Sequence, residues 1–227
     1  MYLRMNEEAT SGDVTALDAS GNGNHATSNN SVLSTTGIRG NARQFVAANT
    51  EWLSIPYSTA MDFGETAYTL SFWFNVSLSV QTSWIIGNDN SNTTNLRGFF
   101  INASTANTRS VQLQPFAGGS QLFSSAIGSD ASITQNAWHF VWLRHAQNSA
   151  VMELGLYTAT GFRATSSVTR AGGATWNNPN SPVNIGRRGT GANYFSGNID
   201  EVCKWTRALT DAELDLVFNN GAGIDIA

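Results

Sequence analysis

The sequence predicts an all-β fold: a sandwich of mainly antiparallel sheets with one short helix near the C-terminus. Three observations carry this. Short alternating runs of apolar and polar residues recur along the 227-residue chain, separated by Gly, Asn, Asp, Ser or Pro. One run, Trp138-His-Phe-Val-Trp-Leu143, is apolar on both faces, as suits a central strand covered on both sides. A single segment carries helix-capping chemistry.

The alternation starts at once. Tyr2 and Arg4 face one way and Leu3 and Met5 the other, so the domain is expected to begin almost at Met1, with no basic stretch leading into an apolar one. Strands are then expected at 42–46, 51–56, 67–77, 82–87, 97–103, 110–116, 120–126, 137–145, 151–158, 161–168, 182–187 and 195–206. In the third of these, Leu70, Phe72, Phe74 and Val76 share one face, and Ser71, Trp73 and Asn75 the other. The segment Thr210–Gly221 reads as a helix over 210–219. Thr210 and Glu213 form a capping box, Asp211 and Glu213 suit the positive helix start, and Gly221 is the expected left-handed stop. Leu214, Val217 and Phe218 would lie on the sandwich, and the tail 223–226 would return as a strand beside residues 2–6. No repeat or linker divides the chain, so residues 1–227 are expected to form one domain.

Composition narrows the function classes. Charged residues make up 12% of the chain, about half of the roughly 25% common in globular proteins. Neutral polar residues replace them: 24 Asn, 24 Ser and 23 Thr. With 41% hydrophobic residues, including 7 Trp and 12 Phe, the chain lacks the signature of disorder. A net charge of −4 and a pI near 5.3, without a basic cluster, argue against a nucleic-acid partner. The lone Cys203 excludes an internal disulfide. No apolar run approaches the ~20 residues of a membrane-spanning helix, so no membrane insertion is expected.

Three blocks carry a resemblance to a known family. The first joins Tyr2-Leu-Arg-Met-Asn-Glu-Glu8 to Asp18-Ala-Ser-Gly-Asn-Gly-Asn-His-Ala26, the second is Tyr68-Thr-Leu-Ser-Phe-Trp-Phe74, and the third runs from Gly197-Asn-Ile-Asp-Glu-Val-Cys203 to Leu214. Together with Trp138-His139 they resemble the laminin-G-like, concanavalin A-like lectin/glucanase jelly rolls over the whole chain. One departure is the late turn Tyr157-Thr-Ala-Thr-Gly161, which lacks the acid or amide that the family often places before this glycine. The fold implied hosts lectins, adhesins, enzymes and structural proteins, so function rests on the site.

Some relatives with the Asp18–Asn24 pattern hold a structural Ca²⁺. The resemblance therefore implies Asp18, Asn24 and Asp200 as ligands, in keeping with the oxygen-rich shell that ion requires. The alternative is an Asx-turn loop with Gly21 and Gly23 at positive φ and no metal. Glucanases of this fold carry closely spaced acids on one strand, typically E-x-D-x-E, and this chain has none. Glu7-Glu8 and Asp200-Glu201 are adjacent, so on a regular strand each pair points to opposite faces. His25, His139 and His145 are far apart, and Cys203 has no neighbouring His. The chain is expected to be non-catalytic.

Aromatics that interrupt polar loops are the binding candidates. Trp176 and Asn177 lie in one Gly/Asn-rich loop, and Arg187 and Tyr194 bound another. An aromatic face can stack on a sugar while Asn and Arg satisfy its hydroxyls. Alternatively, Trp176 and Tyr194 fold back as lids over the sandwich, and Trp73 shares this ambiguity. The expected function is a non-catalytic recognition or structural module displayed on a surface. A phage virion protein, such as a capsid-decoration or fibre-associated domain, fits a chain without an export signal. Its partners would be glycans or other virion or cell-surface proteins, with self-association or lattice docking supplying avidity. The other reading is a carbohydrate-binding module of a larger secreted enzyme or adhesin, placing the chain outside the cell.

Overall fold

The computed structural model describes residues 1–77, 82–88, 99–104, 110–122, 127, 133–158, 161, 163–189 and 191–226. The strands are β1 (Tyr2–Leu3), β2 (Thr27–Asn29), β3 (Leu33–Thr36), β4 (Asn41–Phe45), β5 (Trp52–Ile55), β6 (Tyr68–Val76), β7 (Thr82–Gly87), β8 (Phe99–Ser104), β9 (Ser110–Ala117), β10 (Ser120–Gln121), β11 (Trp138–His145), β12 (Val151–Tyr157), β13 (Arg163–Thr169), β14 (Val183–Ile185) and β15 (Gly197–Trp205). One helix, α1 (Asp211–Phe218), follows them. Residues 97–98 and 123–126 and residue 162 of the expected strands lie outside the described residues.

The strands form two antiparallel sheets. One runs β13-β12-β11-β6-β15-β4-β3, with β1 also paired to β15; the other runs β10-β9-β8-β7-β14-β5-β2. Side-chain alternation explains why they stack. Leu70, Phe72, Phe74 and Val76 of β6 join Val141 and Leu143 of β11 in the core between the sheets. Leu53 and Ile55, Val111 and Leu113, and Val183 and Ile185 meet them from the second sheet.

The outer face of the eight-stranded sheet is also apolar, and α1 covers it. Trp73, Phe140, Trp142 and Tyr157 pack against Leu214 and Phe218, with partly buried Val217 beside them. The Phe218 ring stacks on Tyr157 at 4.4 Å and on Trp73 at 5.6 Å. Trp73, 2% exposed, is therefore a docking residue for the helix. Gly155 of β12 makes room for this layer: a Cβ there would overlap the Trp142 indole.

The Thr210–Glu213 capping box is present. The helix stop differs from expectation, because Asn219 at φ 48° takes the left-handed position and donates its N–H to Asp215 O. The tail 223–226 forms no strand; Asp225 instead pairs with Arg4 at 2.8 Å. Met5, at φ 59°, ends the N-terminal strand early. No helix among the described residues is long and apolar enough to cross a membrane.

Candidate functional site

Among the described residues no helix covers the outer face of the seven-stranded sheet, whose chemistry is aromatic and amide-rich. Because Leu53 and Ile55 point into the core, Trp52 and Ser54 of β5 point out. By the same parity Gln112, Gln114 and Phe116 of β9 face outward. Trp84 of β7 packs with Phe116 on that face. The glutamines form a ladder, Gln121 Nε2 donating to Gln114 Oε1 and Gln114 Nε2 to Gln112 Oε1, each at 2.8 Å.

The loop after β14 folds over this face. Gly186 N–H donates to Ile85 O, Phe195 N–H to Gly186 O and Trp84 N–H to Asn193 O, which fixes both ends of the loop to β7 and to each other. Gly186 (φ 89°), Gly191 (φ 76°) and Asn193 (φ 53°) supply the tight reversal. The loop thereby lays the Arg187 guanidinium over the Trp52 ring, 3.2 Å from its centroid, and Arg188 over Trp84 at 4.7 Å. A Cβ on Gly191 would stand 3.7 Å from Arg187 Nη1 and 3.8 Å from the Tyr194 hydroxyl, so these groups flank one small gap. Arg187 Nε is shielded from solvent and meets no acceptor among the described residues. Trp52, Ser54, Arg187, Arg188 and Tyr194 are all half-buried: held in place, yet reachable.

Of the expected binding residues, Arg187 and Tyr194 come together here and Trp176 does not. Trp176 is 3% exposed, belongs to the central core, and donates its backbone N–H to Glu65 Oε1 (2.7 Å) and its indole N–H to Ser149 O (2.9 Å). It closes one end of the sandwich and has no free face for a sugar. Asn177 donates its backbone N–H to Phe116 O, beside the outer face. Sequence reading passed over Trp52, Trp84 and Arg188. Trp52 carried a usable signal, since it has outward parity in a strand whose Leu53 and Ile55 point inward.

The residues expected to bind Ca²⁺ do not fit a hard cation. Asp18 Oδ1 accepts from Tyr2 N–H (2.8 Å), Ser20 N–H (3.0 Å) and Ser20 Oγ (2.6 Å), while Oδ2 accepts from Asn24 N–H (3.0 Å) and its amide (3.3 Å). Asn24 Oδ1 accepts from Ser58 Oγ at 2.9 Å. Asp200 accepts from the backbone N–H of Ile38 (2.8 Å), Arg39 (3.4 Å) and Glu201 (2.9 Å). These oxygens already face protons, and no cluster of three or more His, Cys, Asp or Glu suited to a metal occurs among the described residues. The Asx-turn alternative accounts for the loop, with Gly21 (φ 79°) and Gly23 (φ 73°) at positive φ.

The opposed-face expectation for Asp200 and Glu201 also fails. A β-bulge interrupts the pairing of β15 with β6 between Asp200 and Cys203, and Glu201 sits at φ 50°. Both acids consequently turn toward the 38–39 backbone. Asp200 bonds to it, and Glu201 lines a cleft with Ile38 and Arg39. The histidines have structural partners: His145 ring nitrogens stand 2.8 and 3.0 Å from the carbonyls of Thr66 and Ser149, and His139 Nε2 accepts from Thr134 N–H.

Among solved structures, the botulinum neurotoxin serotype D binding domain superposes with a TM-score of 0.70 at 14% identity, over 96% of this chain and 50% of that one. Domain 4 of AbnA, a GH43 extracellular arabinanase from Geobacillus stearothermophilus solved in complex with arabinotriose, gives 0.65 at 14% identity, over 98% and 97% of the two chains. Tailspike protein 2 of the Escherichia coli O157:H7 bacteriophage CAB120 gives 0.57 at 16% identity, over 82% of this chain and 25% of that one. At these identities the likeness is one of fold. The chain spans about half the length of the toxin binding domain and about a quarter of the tailspike. A search of curated protein sequences finds no match. Residues 47–215, well over half of the chain, match the sequence profile of a known family, and with the sandwich they place the protein: it belongs to the concanavalin A-like lectin/glucanases superfamily.

Proposed function

We propose that the chain is a non-catalytic recognition module, displayed on a surface, that takes a glycan on the outer face of its seven-stranded sheet. The observation that carries this reading is Arg187, whose guanidinium lies over the Trp52 ring beside the Tyr194 hydroxyl, half-buried and reachable. Contact with the Trp52 ring restrains the guanidinium, so less side-chain freedom is lost when a ligand arrives. Tyr194 and the neighbouring amides then supply the mixed donors and acceptors that sugar hydroxyls need.

A virion surface is the setting we favour, in keeping with the fold likeness to a phage tailspike. Docking onto a repeating lattice or self-association would multiply weak single-site affinity. The arabinanase domain, a carbohydrate-associated unit of this chain's size, supports the second setting, a binding module of a larger secreted enzyme or adhesin.

A glycan array followed by calorimetric titration tests the reading. Trp52→Ala and Arg187→Ala are expected to weaken binding about tenfold or more while leaving the melting transition close to wild type. Undiminished binding by both variants, or no glycan bound at all, would overturn the site. Release of reducing ends from a polysaccharide, abolished by Glu201→Gln, would overturn the non-catalytic assignment.

A further inference from the structure

A second cleft lies away from the Arg187 loop, between the N-terminal segment, the turn joining β3 to β4, the β15 bulge and the C-terminal tail. Its volume is about 610 Å³ and its lining is polar, including Tyr2, Arg4, Asn6, Arg39, Glu201 and Asp225. That volume falls within the roughly 300–1,000 Å³ of small-molecule sites, but such sites are ordinarily mostly apolar. We propose that this cleft binds a neutral sugar residue, with Glu201 and Asp225 accepting from its hydroxyls and Arg39 and Asn6 donating to them.

Charge balance selects the ligand class. Two guanidinium groups and two carboxyls share the cleft, so neither an anion nor a cation meets a uniformly complementary wall. A ligand that offers donors and acceptors side by side does, and vicinal hydroxyls have that property. Arg4 and Asp225 are already paired at 2.8 Å across the rim, with Arg4 stacked over the Tyr2 ring at 5.3 Å, which orders one side of the cleft. Arg39 is exposed and forms no ion pair among the described residues.

Glu201 is the residue that the fold alone does not explain. Asp200 has a structural task, tying down the 37–40 turn through the Ile38 and Arg39 N–H groups. Glu201 is only 5% exposed, yet its single hydrogen-bond donor among the described residues is the Tyr2 hydroxyl, on Oε2. The backbone reaches φ 50° at this non-glycine residue to turn it into the cleft, a conformation that costs free energy and concentrates at functional sites. Gly40, at φ 72°, brings the turn close enough that a Cβ would stand 2.6 Å from Asn6 Oδ1, which keeps Asn6 at the cleft wall.

The test uses arabinotriose, maltotriose and cellotriose with the full chain, read by calorimetry and by backbone amide shifts. The expected result is saturable binding with shifts at Gly40, Asn41 and Ala222. Arg39→Ala and Glu201→Gln should each weaken that binding about tenfold, with Leu216→Ala, on the exposed side of α1, leaving it unchanged. Arg39 is exposed, so its variant keeps the fold even where Glu201→Gln disturbs the bulge. The proposal is overturned if none of the three sugars binds, if Arg39→Ala leaves affinity intact, or if shifts map only to residues 186–195. That last outcome would leave the sheet-face site standing, whereas shifts confined to the cleft would remove it.

Discussion

Replacing Asp18 by Ala separates a loop held by hydrogen bonds from a loop held by an ion. The side chain accepts five hydrogen bonds, three from backbone N–H groups. Ser20 is exposed, so water can replace the lost acceptor there. Tyr2 and Asn24 are buried at 2% and 7% exposure, and their N–H groups would be orphaned. Each orphan costs about 1–3 kcal/mol, so the variant should lose about 3 kcal/mol. In a chain of this size that lowers Tm by roughly 10 °C. The loss should be the same with excess chelator and with excess Ca²⁺, measured by calorimetry and urea titration on one preparation. Burial raises the Asp18 carboxyl, but the donors of Ser20, Tyr2 and Asn24 outweigh it and hold the group below the usual carboxylate range. Its contribution is therefore present above the unfolded value and fades as pH falls through the folded one. A loss below about 1 kcal/mol would refute the reasoning. So would a loss seen with Ca²⁺ and absent after chelation, because the carboxylate would then be a ligand.

Three further outcomes follow from the same geometry. Burial, with the charge of Glu201, pushes Asp200 up to about 8, and burial pushes Glu201 up to about 7. Both lie above the roughly 4 of an unfolded carboxyl, so their stabilisation is complete below that value and is lost as pH rises toward 8. A Tm–pH profile should therefore fall less steeply over this window in Asp200→Asn than in wild type, and parallel profiles would count against the assignment. Trp176→Ala should cost about 3–5 kcal/mol, since the indole lies in the core with its N–H on Ser149 O; a change under about 1 kcal/mol would restore it as a surface platform. Gly155→Ala drives a methyl into the Trp142 indole and should cost about 1–3 kcal/mol or more, read by denaturant midpoint; a stability gain would show that the two strands shift freely.

The sandwich was legible because its strands carry either a period-2 alternation, as in β6, or an unbroken apolar run where both faces are covered, as in β11. β6 and β11 read correctly on both sides, and the 210–213 capping box located the helix that covers their outer face. Loop residues were legible only as chemistry. Arg187 and Trp176 sit in equally polar surroundings in the sequence, and nothing local says that one lies on Trp52 while the other enters the core. The difference is tertiary: Glu65 and Ser149 wait at the sandwich end to satisfy Trp176, and they come from distant segments.

The acidic pair shows where parity must fail. Alternation assigns Asp200 and Glu201 to opposite faces only if every residue between 197 and 205 keeps extended dihedrals. One residue at φ 50° inserts an extra step into β15, and each side chain beyond it changes face relative to the earlier ones. No glycine marks the position, since Glu201 itself takes the left-handed conformation. Its cost is offset by the Asp200 bonds to the 38–39 backbone and by the Tyr2 hydroxyl on Glu201. Those bonds need the N-terminal strand and the 37–40 turn already in place. The carboxyl that faces the cleft is thus a product of three segments meeting, and a sequence-only search for paired acids at i and i+2 would pass over it.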